Sequence, residues 1–259
     1  MLVTIIDEIL KFMQLSGNTI LITGGASGIG LALTVRFLEK GNEVIICGRR
    51  EDRLVDAARQ YDGLKTRICD LASDEERKTL AEWVTSEYPN LNVLVNNAGI
   101  QRAVDLRAKE ASWEATHSEI AINLEAPIEL SRLLCPHLSQ QENSAIVNVT
   151  SGLSFVPLAN VPVYCATKAA LHSFTLSLRQ QLADRHVEVI EIIPPAVDTD
   201  LQAPGLHKFG VNVDEFADAV FLGLEAGESE IAYGTALTAS IADKKEREAI
   251  FKMMNERFS

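Results

Sequence analysis

Tyr164 and Lys168 stand four residues apart in Tyr-Cys-Ala-Thr-Lys, a spacing that puts both on one face of a helix. A phenol with a pKa of about 10 gives up its proton readily only if that pKa is brought toward neutrality, and a nearby ammonium does this by favouring the phenolate. Such a pair suits proton transfer to a carbonyl oxygen, or from the matching alcohol. Ser151 follows the apolar run Ala145–Thr150. At the carboxyl end of a strand, where ligands meet an open α/β sheet, its hydroxyl can hold an oxygen within hydrogen-bond reach of Tyr164. Alone, a Tyr-x-x-x-Lys pair is an ordinary helix-surface contact and Ser151 an ordinary strand-end cap. The chemistry needs a frame that brings them together.

That frame is written in the hydrophobic pattern. Short, mostly continuous apolar runs fall at Thr19–Thr23, Glu43–Cys47, Lys65–Cys69, Asn92–Val95, Ala145–Thr150, Glu188–Ile193 and Ile231–Tyr233. Strands covered on both faces read this way. Helical windows lie between them at Ile29–Lys40, Glu51–Tyr61, Asp74–Glu87, Ser112–Leu138, Val163–Arg185 and Val213–Glu225, with a tail helix over Ala239–Phe258. Strand–helix repetition predicts a parallel sheet with right-handed crossovers. After the first strand comes Thr23-Gly24-Gly25-Ala26-Ser27-Gly28-Ile29-Gly30, leading directly into a helix. Glycines allow a tight turn and close backbone approach, and the helix N-terminus favours an anion such as a pyrophosphate. The spacing G-x-x-x-G-x-G is one residue longer in its first gap than the familiar dinucleotide fingerprint, and no Gly-Lys-Ser/Thr follows as in a P-loop.

The Thr23–Gly30 turn, Asn96-Asn97-Ala98-Gly99, Asn123, Ser151 and Tyr164-x-x-x-Lys168, in this order, resemble the short-chain dehydrogenase/reductase family over about Asn18–Thr199. The resemblance implies an α/β fold: a single-domain doubly wound parallel sheet (Rossmann fold) of about seven strands with helices on both faces. It implies hydride transfer between a nicotinamide cofactor and a carbonyl/alcohol pair, with Tyr164 as proton donor or acceptor, Lys168 and Ser151 assisting, and Asn123 holding a water that links Lys168 to solvent. Cofactor contacts are implied at Gly24, Ser27, Gly28, Ile29, Gly30, Arg49, Asp70, Leu71, Asn97, Ala98, Gly99, Tyr164, Lys168, Pro194, Val197 and Thr199, with Asp70 at the adenine and Thr199 at the carboxamide. Within the family, Asn90–Gln101 and Val149–Ser173 look like bacterial reductases of unassigned substrate encoded beside teichoic-acid alanylation genes. Family members usually pair through the Ser112–Leu138 and Val163–Arg185 helices, so a homo-oligomer is expected, a dimer before a tetramer.

The second strand ends Ile46-Cys47-Gly48-Arg49-Arg50. An acid at this tip would bond a ribose 2′-OH, whereas an arginine accommodates a 2′-phosphate, so NADP(H) is the expected cofactor. Where the family usually has Pro-Gly, this chain has Pro194-Pro195, and Pro195 removes an N–H. A non-catalytic dinucleotide-binding regulator on the same fold is the alternative, and loss of Tyr164 or Lys168 would be its mark.

The rest of the composition sets bounds. A chain of 259 residues allows one or two domains at about 150 residues each. No linker rich in Pro, Gly or Ser interrupts the alternation, which favours one domain over 18–259 behind an N-terminal extension, 1–17. A net charge of −12 argues against nucleic acid or anionic lipid as partner. No apolar run approaches the roughly 18 residues of a membrane helix, and Asp7 and Glu8 interrupt the apolar opening stretch Met1–Gln14. The four cysteines form neither a CxxC pair nor a metal-ligand spacing, which fits a reducing, cytoplasmic setting without a metal site. His172 continues the Lys168 face toward Leu176 and reads as packing. Leu153, Phe155, Val156 and Leu158 read as an apolar pocket wall.

Overall fold

In the computed structural model, which describes residues 13–256 apart from 109–111 and 204, the chain alternates strands and helices. The strands are β1 (Thr19–Thr23), β2 (Glu43–Gly48), β3 (Lys65–Ile68), β4 (Leu91–Asn96), β5 (Ser144–Val149), β6 (Val187–Ile193) and β7 (Glu230–Ala232). They form one sheet of order β3-β2-β1-β4-β5-β6-β7, and each neighbouring pair is parallel. The expected doubly wound, seven-stranded architecture is therefore present. The apolar stretch before residue 13 lies outside the described residues.

The helices are α1 (Gly28–Glu39), α2 (Glu51–Gln60), α3 (Asp74–Glu87), α4 (Trp113–Ile120), α5 (Ala126–Leu138), α6 (Pro162–Gln181), α7 (Val213–Glu225), α8 (Thr235–Ile241) and α9 (Lys244–Asn255). The strand pattern has a direct packing cause. Ile20, Ile22, Ile46, Val95 and Val147 point to one face, where they meet Phe37 of α1, Leu54 of α2 and Phe216 and Phe221 of α7. Leu21, Ile45, Leu94, Ile146 and Val189 point to the other, against Leu80 and Val84 of α3, Leu130 and Leu134 of α5 and Leu178 of α6. Both faces of the central strands are covered, so their apolar residues run on with little alternation, while the edge strand β3 (Lys-Thr-Arg-Ile) is partly exposed.

Two helical windows differ from expectation. The Ser112–Leu138 window is not one helix: a π-turn over Ala121–Glu125 joins α4 to α5, with the Ala126 amide reaching the Ala121 carbonyl. Pro127 follows in the first turn of α5. An unbroken α-helix would send the position-127 N–H to the Asn123 carbonyl, and proline has none to send. The tail is likewise split. Asp243 and Glu246 form a reciprocal capping box, each side chain accepting from the other's backbone N–H at 2.9 and 2.8 Å, so a new helix starts at Lys244.

The chain winds outward from β1 to β3, then returns to β4 on the other side of β1. The carboxyl ends of β1 and β4 therefore part, and the glycine turn sits in that gap. Gly24 has φ of +66°, which favours glycine. A Cβ on Gly30 would stand 2.3 Å from the Gly24 carbonyl oxygen and 2.4 Å from Asn97 Nδ2. Gly30→Ala must push backbone against backbone, and we expect a loss of about 1–3 kcal/mol, read as a lowered Tm in thermal denaturation together with weakened dinucleotide binding by calorimetry.

Candidate active site

The turn is clamped from β4. Asn97 Nδ2 donates to the carbonyls of Thr23 (2.9 Å) and Gly24 (3.2 Å), while the Thr23 hydroxyl accepts from the amides of Asn97 and Ala98, both at 3.0 Å. Asn96 turns the other way, donating to Asn148 Oδ1 on β5 at 2.9 Å, and Asn148 passes the chain on to Thr175 of α6. Ser27 is the N-cap of α1 but gives no side-chain bond to the first turn, unlike Ser73, Ser112 and Asn212 at their helices. The first-turn amides thus keep their capacity for an anion.

One cleft of about 1440 Å³ runs along the carboxyl ends of the strands. Gly24, Ser27–Gly30, Arg49, Asp70, Leu71, Asn97–Gly99, Ser151, Tyr164, Lys168, Pro194, Val197 and Thr199 all line it. Asn123 does not. It is fully buried behind the cleft, where Oδ1 accepts from the Ile100 amide at 2.8 Å and Nδ2 donates to the Ile100 carbonyl at 2.8 Å and the Thr167 hydroxyl at 3.2 Å. Asp70 is an Asx-type turn acceptor, taking the Ala72 amide at 3.0 Å, and Ser73 caps α3 instead. Arg50, which stands beside Arg49 at the β2 tip, lines the cleft too and gives Nη2 to Ser27 Oγ at 3.0 Å; sequence reasoning passed over Arg53, which also lines it. Pro195 interrupts no ladder, since the segment after β6 is held by bonds between Ala196, Asp198 and Val211.

Ser151 lies two residues past β5, buried, its Oγ accepting from the Leu153 amide at 3.1 Å. Tyr164 sits in the first turn of α6, also buried. Lys168, one turn on, is buried with Nζ 5.8 Å from the centre of the Tyr164 ring, and it donates to the Val149 carbonyl at 2.7 Å. The strand end and the helix start thus bring a hydroxyl, a phenol and an ammonium together beside the glycine turn.

Residues 18–208 match the short chain dehydrogenase family. The chain belongs to that family. Its relatives include an uncharacterized oxidoreductase, DltE, of Bacillus subtilis (strain 168), 49% identical over 94% of this chain and 98% of the relative. A 3-oxoacyl-[acyl-carrier-protein] reductase, FabG, of Thermotoga maritima is 32% identical over 73% of this chain and 78% of its own length. Among solved structures, a short chain dehydrogenase from Burkholderia cenocepacia J2315 in complex with NADP is 28% identical, covers 93% of this chain and 99% of its own, and superposes with a TM-score of 0.80. The resemblance drawn from the motifs holds, down to the DltE-like branch, and the chain is an NAD(P)-dependent dehydrogenase/reductase.

Burial dominates the electrostatics of this dehydrogenase's site. Burial pushes the phenol above its ordinary 10, and the neighbouring Ser151 hydroxyl pulls against it. Burial also draws Lys168 down to about 8, with Glu191 as the opposing charge. Glu191 is itself fully buried on β6, and sequence reasoning missed it, although an acid in the apolar run of β6 was a visible signal. It accepts from Thr150 Oγ1 at 2.6 Å and meets His172 Nδ1 at 2.9 Å, which raises the His172 pKa above its ordinary 6.5. His172 is thus a polar partner, not apolar packing.

Glu119 of α4 was missed too. It is fully buried, and desolvation raises its pKa from 4.5 to about 7 against the weaker opposing pull of the Arg102 backbone N–H and charge. The folded state prefers the protonated acid, so its stabilising share is complete below 4.5 and lost as pH rises through about 7. His172, also raised, adds a slope of the same sign at higher pH. We expect Tm to fall between about pH 5 and pH 8, and Glu119→Gln to make that fall shallower, gaining a few degrees at pH 8 for each 1–2 kcal/mol recovered; differential scanning calorimetry across pH reads both.

Proposed function

We propose that this chain reduces a small-molecule aldehyde or ketone with NADPH, Tyr164 giving the proton. The observation that carries this reading is the convergence of the buried Tyr164, Ser151 and Lys168 with the glycine turn in a single cleft. The fit to a dinucleotide is local and physical. The α1 amides are left uncapped by Ser27, and Gly24 and Gly30 let the turn, α1 and the Asn97–Ala98 segment close on one another, which fixes where those amides point. NADPH, when bound, supplies hydride to the carbonyl carbon.

The chain's own residues do the remainder. Ser151 Oγ holds the substrate oxygen beside the phenol. Burial keeps Tyr164 protonated, the form needed for donation to an oxygen that gains charge during reduction. Lys168 stands ready to accompany the phenolate that remains, and its pKa near 8 lets it lose and regain a proton near neutral pH. The Asn123 side chain is committed to Ile100 and Thr167, so any water that Asn123 holds for proton return would sit on its backbone carbonyl.

The preference for NADPH over NADH is supported by the tip of β2. Arg49, Arg50 and Arg53 line that end of the cleft, while Glu51 and Asp52 do not. A guanidinium pairs well with a 2′-phosphate. Function as one domain over 18–259, in the cytoplasm and as a homodimer through α4, α5 and α6, completes the reading; exposed Trp113 and Leu176 on those helices are consistent with a covering partner. Among the described residues no helix is long and apolar enough to cross a membrane.

Two measurements test this. Tyr164→Phe should lower kcat for carbonyl reduction by about 10²-fold or more while NADPH still binds by fluorescence titration; retention of most turnover would refute the assignment. Arg49→Ala should raise KM for NADPH about tenfold, the scale of one charge-assisted hydrogen bond, and leave KM for NADH within a factor of two or so; equal effects on both cofactors would remove the phosphate role.

A further inference from the structure

The cleft holds about 1440 Å³, above the roughly 300–1,000 Å³ of a pocket for one drug-sized molecule. Its two ends differ in chemistry. The end at β1, β2 and β3 carries the glycine turn and the arginines. The other end lies past Tyr164 and is walled by three separate segments. Val156 and Leu158 come from the loop after β5, Leu206 and Phe209 from the segment after β6, and Ile250 and Met254 from α9.

Of the described side chains that line this half, the two cations each give a donor to a backbone carbonyl, and His207 adds an unpartnered ring nitrogen, Nδ1. Arg102 gives Nη1 to the Ala115 carbonyl at 2.8 Å and Lys168 gives Nζ to Val149. The carboxylates that line the cleft beside Thr199, Asp198 and Asp200, would repel a carboxylate or phosphate. Large apolar side chains stand at the mouth in water: Phe209 is 77% exposed and Met253 65% exposed. Single exposed apolar residues need no explanation, but a contiguous set lining a cleft marks a binding surface. Asn255 fixes the wall in place, accepting from the Ala159 amide at 2.6 Å and donating to the Pro157 carbonyl at 3.2 Å. The arrangement is preformed.

We infer that this half of the cleft takes a free, uncharged carbonyl compound with an extended apolar tail, and not an acyl group tethered to an anionic carrier. The inference rests on the reductase reading and names its substrate class. The tail lies between the 156–158 wall and α9, with the carbonyl at Ser151 and Tyr164. Met253 and Met254 are unbranched, adaptable thioethers, so the site tolerates a range of tail lengths and shows no sharp optimum.

The test is a series of straight-chain aldehydes from propanal to decanal, followed by NADPH oxidation, beside the matching ω-carboxylated aldehydes and 3-oxoacyl thioesters of pantetheine 4′-phosphate. In parallel, straight-chain alcohols are tested for displacement of the apolar dye Nile red, which needs no turnover. We expect kcat/KM to rise about two- to fourfold per added methylene until the groove is filled, as burial of CH₂ groups predicts. The charged analogues should fall at least tenfold below their neutral partners. Met253→Glu, at an exposed position, should cut the decanal-to-propanal ratio of kcat/KM about tenfold. A flat or falling chain-length profile, or a preference for the thioesters, overturns the inference while leaving reduction intact. Dye displacement by long alcohols without any aldehyde reduction supports the apolar site and sinks the reductase reading instead.

Discussion

Everything the cleft does depends on the parting of β1 and β4. A parallel sheet dry on both faces leaves its polar chemistry to strand ends, and only where the winding reverses do two adjacent loops diverge. Asn97 fixes the width of that opening. Its side-chain amide holds two carbonyls of the glycine turn, and Gly30 lets α1 come up against the same point. The turn is thereby tied to β4, and β4 to β5 through Asn96 and Asn148. The glycine turn and Ser151 belong to a single framework, linked by side-chain amides across three strands.

The second constraint is charge in a dry place. Lys168, Glu191 and Glu119 are buried with little or no contact with water, and burying ions is costly unless they are paired. The three are treated differently. Lys168 has the Val149 carbonyl and the field of Glu191. Glu191 has Thr150 and His172. Glu119 has only the weaker pull of Arg102, and responds by favouring its neutral form. Since Glu119 also raises the Tyr164 pKa when ionised, its neutrality removes a repulsion from the phenolate. The site's electrostatics are thus set by residues that never touch the cleft as much as by those that line it.

Much of this was legible in the sequence, for physical reasons that can be named. The strands announced themselves because burial on both faces forces unbroken apolar runs. The glycine turn, Asn96–Gly99, Ser151 and Tyr164–Lys168 could be read because backbone approach and proton transfer admit few residue types. The misses have a common cause: they are pairings between distant positions. His172 and Glu191 lie 19 residues apart and meet only because α6 packs over β6. The π-turn at Ala121–Glu125 was hidden within a good helical pattern, although Pro127 hinted at it. The break at Asp243 was locally encoded as Asp-x-x-Glu, and the apolar periodicity of the tail drew attention away from it. Burial of the Tyr164 phenol, which raises its pKa, was also invisible in the Tyr-x-x-x-Lys spacing.

Asn255, nearly the last described residue, reaches back across 96 positions to the Ala159 amide. The wall beside Tyr164 is therefore finished by α9, the helix that follows every strand of the sheet. The glycine turn is held from β4 and the wall from α9, so the part that grips a dinucleotide and the part that shapes the far half of the cleft rest on separate contacts.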